Sequence, residues 1–306
     1  MACAFFAAVL SCTKEFSNEL TPGWQQENLD YYNVTVDLGG PLTKLAAPAK
    51  DSVANNVQIF VFNGSNVLES YYNGTQNRAT LRLSSGKKQV RAVVNAPSLG
   101  SSVTTLSDLE TKVSLFSDNT TSNFVMVGKD SLTVPDVTLI TVKVTRLAAK
   151  VVLQGIDTEF TAPVYSEGTF TIKKIYLSHA ASDCPYFTAV SPTACTSEGE
   201  LTGDRSMNVT LTKNGNYGEK KIFYAYPNDT DTPTRLVIQA ELNGTTYFYP
   251  INLGDIKSNT VYNVSNLVIT RPGSDNEDDV ISTSEGIYGV SIGKWNPEIV
   301  KIEEIL

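Results

Sequence analysis

Apolar and polar residues alternate with a period of two along most of this chain, and long runs with a helical period are absent. In YYNVTVDL (31–38), Tyr32, Val34, Val36 and Leu38 fall on one side. That spacing predicts a strand with one buried face. VQIFVF (57–62) is instead almost continuously apolar, as a strand buried on both faces should be. Further strands are predicted at 66–72, 79–84, 88–95 and 123–128, with one long β segment over 137–156 that carries the chain from its first half into its second. A short helix is expected around 105–116. The second half repeats the style, with strands at 169–178, 207–212, 220–226, 234–242, 246–253 and 261–270. Asn-Gly pairs at 63–64, 73–74, 214–215 and 243–244 supply turns. Many short strands at regular spacing predict an all-β protein of two tandem β-sandwich domains with short helices in the loops.

Length sharpens this picture. At 306 residues the chain accommodates two domains of about 150 residues each. The expected division is 1–12 as an export signal, 13–30 as a linker, 31–147 as the first sandwich and 148–306 as the second, with a tail over 280–306. The net charge of −8 argues against nucleic acid as a partner, because phosphate contacts need a basic footprint.

The two ends read differently from the middle. ACAFFAAVLS (2–11) is apolar, ends in small residues and is too short to span a bilayer. It reads as the apolar core of a signal peptide, although no basic residue precedes it. Val9-Leu10-Ser11-Cys12 looks like a bacterial lipobox, which makes Cys12 the lipidation site and membrane lipid a partner. At the other end, RPGSDNEDD (271–279) reads as a flexible acidic spacer. It leads to a tail of alternating apolar residues, IYGVSIGKW (287–295) and EIVKIEEIL (298–306). Tyr288, Val290 and Ile292 share one face of that tail, with Trp295 near its end.

Candidate chemistry is sparse. Cys184 and Cys195 lie in a Ser/Pro/Thr-rich stretch and could close a loop by a disulfide in an oxidising compartment. His179 is the only histidine. Its neighbour Ser178 points the other way on a strand, so no triad is expected. No GxSxG, P-loop, HExxH or CxxC occurs. Neither an enzyme nor a cofactor is expected, and no metal site is anticipated. The carboxylates of 275–279 read as solvated spacer charges, and Tyr247, Phe248 and Tyr249 as packing residues rather than a sugar platform.

Four stretches of the first half, VQIFVFNG (57–64), QVRAVVNAP (89–97), FVMVG (124–128) and VKVTRLAAKVVL (142–153), resemble the N-terminal domain of Bacteroidales fimbrillins, the type V pilins. IFYAYPN (222–228), VYNVSNLVITRPGSDNEDD (261–279) and VSIGKWN (290–296) resemble the remainder of that family. The resemblance implies transthyretin-like sandwiches, export as a lipoprotein, and proteolytic removal of the first strand with its lipid. A tail strand from a neighbouring subunit would then fill the vacated groove. Here the removable strand would be 32–38 and the donor would lie in the tail, with Tyr288, Val290, Ile292 and Trp295 as its contacts. The cut would follow Lys44, leaving Leu45 as the new first residue, with Lys50 as a second candidate. The family cuts after arginine, whereas no arginine precedes Arg78 here, so either a lysine-directed or broader protease is required or the subunit stays uncut, keeps its lipid and serves as a basal anchor. The implied partners are other pilin subunits, a processing protease and a host surface ligand. The competing expectation is a monomeric, lipid-anchored surface adhesin that binds glycan or host protein through its loops.

Overall fold

The computed structural model of the protein describes residues 30–40, 53–188, 192, 194–196, 199, 201–203, 206–279, 286–287 and 289–295. Cys12, Lys44, Leu45, Lys50 and Tyr288 lie outside them. The N-terminal half contributes β1 (Tyr31–Gly39), β2 (Val57–Phe62), β3 (Leu68–Gly74), β4 (Arg78–Ser84), β5 (Gly86–Val94), β6 (Val113–Leu115), β7 (Met126–Val134), β8 (Leu139–Lys143) and β9 (Thr145–Arg146). The C-terminal half follows with β10 (Ala149–Leu153), β11 (Ile156–Thr158), β12 (Thr169–Ser178), β13 (Ala180–Ala181), β14 (Asp183–Pro185), β15 (Cys195–Thr196), β16 (Ser206–Thr212), β17 (Asn216–Tyr217) and β18 (Lys221–Ala225). It ends with β19 (Arg235–Leu242), β20 (Thr245–Asn252), β21 (Thr260–Val264), β22 (Leu267–Ile269), β23 (Gly286–Ile287) and β24 (Val290–Lys294). The protein is all-β, as its alternation predicts.

Two sheets enclose the first core. One has the order β4-β1-β8, the other β3-β2-β5-β7-β9. Val34, Val36 and Leu38 of β1 interleave with Val57, Ile59 and Val61 of β2, Leu81 and Leu83 of β4, and Ile140 and Val142 of β8. The second core lies between β16-β12-β19-β20 and a sheet of order β18-β10-β21-β24, whose strand axes β17, β11, β22 and β23 continue. Asn243 and Gly244 both take positive φ at the β19–β20 turn, a conformation that Asn-Gly favours.

A third cluster joins the halves. Phe60, Phe62 and Val93 lie on the face of their sheet opposite the first core. They cluster with Phe124, Leu147, Ala148, Tyr224, Tyr226 and Trp295. VQIFVF is therefore apolar on both sides because each side faces a different core. β6 also pairs across the halves with β14, placing Ser114 opposite Cys184.

Three expectations need correction. The long segment 137–156 is not one strand. β8 belongs to the β1 sheet, β9 to the sheet behind it, and β10 to the second half. The predicted helix over 105–116 shrinks to α1 (Leu106–Glu110), where Thr105 and Asp108 form a capping box. The chain then turns into β6, since Val113–Leu115 finds a partner strand. The third concerns the disulfide: both thiols are free. Cys195 stands opposite Ala181 rather than Cys184, while Cys184 is buried in the seam cluster. That burial pushes its thiol up to about 12, which keeps it protonated and unreactive.

Candidate functional site

β1 is the middle strand of its sheet. It runs antiparallel to β4 with Val34 opposite Leu81 and Val36 opposite Ala79. It runs parallel to β8 with Val36 opposite Ile140 and Leu38 opposite Val142. Val34 and Val36 are wholly buried. Without β1, the edges of β4 and β8 would face each other across a groove floored by β2, β5 and β7. Refilling it with three aliphatic side chains recovers about 5–9 kcal/mol at about 1.5–3 kcal/mol each. That rivals the whole net stability of a typical domain, so an empty groove is a strongly attractive receptor for a matching strand.

The groove has a stop at each end. Near the start of β1, Lys88 shares the inward face of Val90 and Ala92. Its Nζ reaches Glu69 Oε2 at 2.6 Å and Ser84 Oγ at 2.8 Å. This buried pair lies beside Ser84, the partner of Tyr31. At the other end the Val144 N–H donates to Gly39 O at 2.8 Å. Gly40 follows at φ +118°, where an added Cβ would stand 2.2 Å from Val144 O. Only glycine permits that approach. The stops define a nine-residue slot, and strand alternation limits which register an occupant can take.

The described tail sits elsewhere. β24 adds antiparallel to β21, the edge of the second half's sheet, with Val290 opposite Val264 and Ile292 opposite Tyr262. Val290 packs against the second core. Ile292 is on the same side but 64% exposed, so these two do share a face, and part of it is open to solvent. Trp295 lies on the other side and departs from expectation. It is 3% exposed, with Phe124 edge-on at 5.3 Å and Tyr224 stacked at 5.6 Å. Arg146 covers its ring at 4.4 Å, an attractive cation–π placement. Trp295 thus belongs to its own chain's seam in this state and is not presented to a partner.

The acidic spacer is a strap rather than a free linker. Phe248 and Ser274 exchange backbone hydrogen bonds at 2.7 and 3.0 Å. Tyr176 donates to Glu277. Asp278 Oδ1 meets His179 Nε2 at 2.7 Å and Arg235 at 2.6 Å. His179, chiefly, holds the Asp278 carboxyl below its ordinary value, with Arg235 adding to the effect. The only histidine therefore serves as a clamp. The composition of 271–279 gave no sign of this, because the strap's partners lie on strands far away in sequence. Among the described residues, no group of acidic, histidine and cysteine side chains is arranged to hold a metal, and no helix is long and apolar enough to cross a membrane.

No protein-family profile matches the chain, and no curated protein does either. Solved structures do match in shape. A candidate cell adhesion protein from Bacteroides eggerthii DSM 20697 superposes with a TM-score of 0.68 at 19% identity, over 87% of this chain and 97% of that one. A fimbrilin from Porphyromonas gingivalis W83 gives 0.62 at 16%, over 87% and 98%. The fold is that of the fimbrillins. The tip fimbrial protein Mfa3 from Porphyromonas gingivalis, solved with a C-terminal truncation, gives 0.55 at 12%, over 87% and 100%. At these identities the likeness establishes the fimbrillin fold. The names these neighbours carry are those of fimbrial and adhesion proteins.

Proposed function

We propose that this chain is a non-enzymatic structural subunit of a bacterial surface fimbria, assembled by proteolysis-triggered strand exchange and supporting adhesion. The observation that carries the reading is the place of β1: a middle strand that fills an apolar slot and is followed at once by the segment 41–52. A cut after Lys44 or Lys50 in that segment would leave β1 held only by non-covalent contacts. The tail of a second subunit would take its place, with Val290 and Ile292 contributing to the incoming face. Trp295 would first have to leave its seat. Because donor and slot are at different places on the subunit, the contact is heterologous and propagates as an open fibre.

Cys12 would carry lipid until the cut, holding the precursor at the outer membrane. A single acyl chain anchors only marginally, so stable attachment takes more than one. The fimbrillin fold supports this reading, and the apolar slot filled by β1 favours it over that of a monomeric glycan-binding adhesin, which needs no exchangeable strand.

The test is cleavage confined to 41–52 in the purified full chain, followed by size-exclusion chromatography and mass spectrometry of the new N-terminus. Conversion of monomer to a ladder of oligomers, with the fragment containing β1 released, is expected. A chain that is cut, loses that fragment and remains monomeric at high concentration defeats the proposal.

A further inference from the structure

Trp295 is held by walls that are wired to both flanks of the segment 41–52. On the upstream flank, Gly39 accepts from Val144 at 2.8 Å and Gly40 presses against the Val144 carbonyl. Two residues further, Arg146 covers the Trp295 ring and donates to its carbonyl at 3.4 Å. On the downstream flank, Asn95 accepts from the Asn55 N–H at 2.7 Å and donates to Val53 O at 2.7 Å. The same Asn95 amide donates to Phe124 O at 3.0 Å, and Phe124 is the edge-on wall of the tryptophan seat. Asn55 also donates to Asn123 at 2.7 Å. Beyond this seat β24 is held chiefly through its backbone, by the ladder to β21 and the Trp295 N–H bond to Asn259 O at 3.0 Å, because four of its five residues are exposed.

We infer that Trp295 is an autoinhibitory latch: it keeps the tail folded on its own chain while β1 and its flanks are in place, and the loss of β1 releases it. The inference rests on the strand-exchange reading and adds its regulation. The physical content is a seat with two discrete states. Departure of β1 removes the Gly39–Val144 hydrogen bond and the Gly40 contact that brace Val144, two residues before Arg146, while the β9 pairing with β7 remains. Cutting frees Val53 and Asn55 to leave Asn95, which loosens Phe124. Arg146 covers the indole ring and Phe124 meets it edge-on, so a shift of either loosens the seat. A subunit would thus withhold its donor strand until its own slot becomes available, which prevents premature pairing of uncut precursors.

Tryptophan fluorescence reads this directly. The chain has two tryptophans, and Trp24 precedes β1. In the Trp24→Phe full chain Trp295 is therefore the sole reporter. Residues 44–50 are replaced by the recognition sequence of a site-specific protease, and the chain is cut. Loss of the β1 fragment in mild urea is followed by mass spectrometry. The expected result is a red-shifted emission and a several-fold rise in acrylamide quenching once the fragment has left, with the uncut chain unchanged in the same urea. A fragment-free chain whose Trp295 stays shielded overturns the latch.

Where the fragment stays bound, Gly40→Ala in the uncut chain serves instead. An added methyl at that φ must displace Val144, so Trp295 exposure should rise while circular dichroism is unchanged. A folded variant with a shielded indole overturns the latch as well. The two readings fail separately. Exposed Trp295 without oligomers defeats strand exchange and leaves the latch, whereas a Trp295 that is still shielded in the fragment-free monomer, in a chain that goes on to form oligomers, defeats the latch alone.

Discussion

β1 and β10 occupy the same place in two similar sheets. Each is a middle strand with an antiparallel neighbour on one side and a parallel neighbour on the other: β4 and β8 for β1, β18 and β21 for β10. Val36 and Val151 are both wholly buried. What separates them is connection. β10 follows Leu147 and Ala148, which lie in the seam cluster, and leads within three residues into β11, a strand of the same core. β1 is joined to β2 through the separate segment 41–52. The sheets differ again at one edge, where β24 caps β21 while β8 has no such neighbour among the described residues. The detachability proposed for β1 would therefore be a property of the chain path and not of the pairing, since the two strands are bonded alike.

The largest test of that contrast places a charge in each middle strand. Val36→Asp and Val151→Asp each bury a carboxylate without a partner, which costs on the order of 4 kcal/mol or more in the intact chain. Urea unfolding followed by circular dichroism should show both losses. After cutting in 41–52 and refilling the slot with a synthetic tail peptide, the Val36→Asp defect should vanish, because its strand has been exchanged. Val151→Asp should stay crippled. Equal recovery of both, or of neither, removes the asymmetry on which the proposed function rests.

How much of this was visible in the sequence follows from what each feature depends on. The strands were legible because alternation is local: VTVDL and VQIFVF state which faces are buried before any partner is known. The dispersal of 137–156 among three sheets was not, because a period of two fixes faces and not sheet membership. α1 was overextended because the pairing of Val113–Leu115 with Asp183–Pro185 spans about 70 residues. The same limit hid the slot's ends and the tryptophan seat. Lys88 with Glu69, Gly40 against Val144, and Arg146 over Trp295 all meet only after folding. The one local clue was Gly39-Gly40, a pair that permits close backbone approach.

A smaller effect sharpens the comparison at the C-terminal side, where the strap leads to β24. Asp278 is about half exposed, so its bonds to His179 and Arg235 are screened by solvent and contribute less than about 1 kcal/mol. The sign follows from its depressed carboxyl. The stabilisation is fully present above the ordinary carboxylate value and is lost as pH falls through the lower folded one. Asp278→Asn should lower the melting temperature slightly at neutral pH and converge with the parent in acid. Hydrogen exchange should place the loosening in 274–279. A difference that grows in acid contradicts the assigned clamp.

The smallest expected change in stability is also the most discriminating. Ile292 lies on the inward face of β24 yet is mostly exposed, so Ile292→Asp should alter the unfolding midpoint of the intact monomer by no more than about 0.5 kcal/mol. In a slot whose occupant presents apolar side chains at alternate positions, the same carboxylate would be buried without a partner. Oligomer formation after cutting should then fall steeply, while Ser291→Asp, on the opposite face, should leave it nearly intact. The pair separates a donor face from general surface charge, because both variants add one negative charge at neighbouring positions of one exposed strand. Equal oligomer yields from the two would remove Ile292 from the donor face and move the incoming strand to another part of the tail.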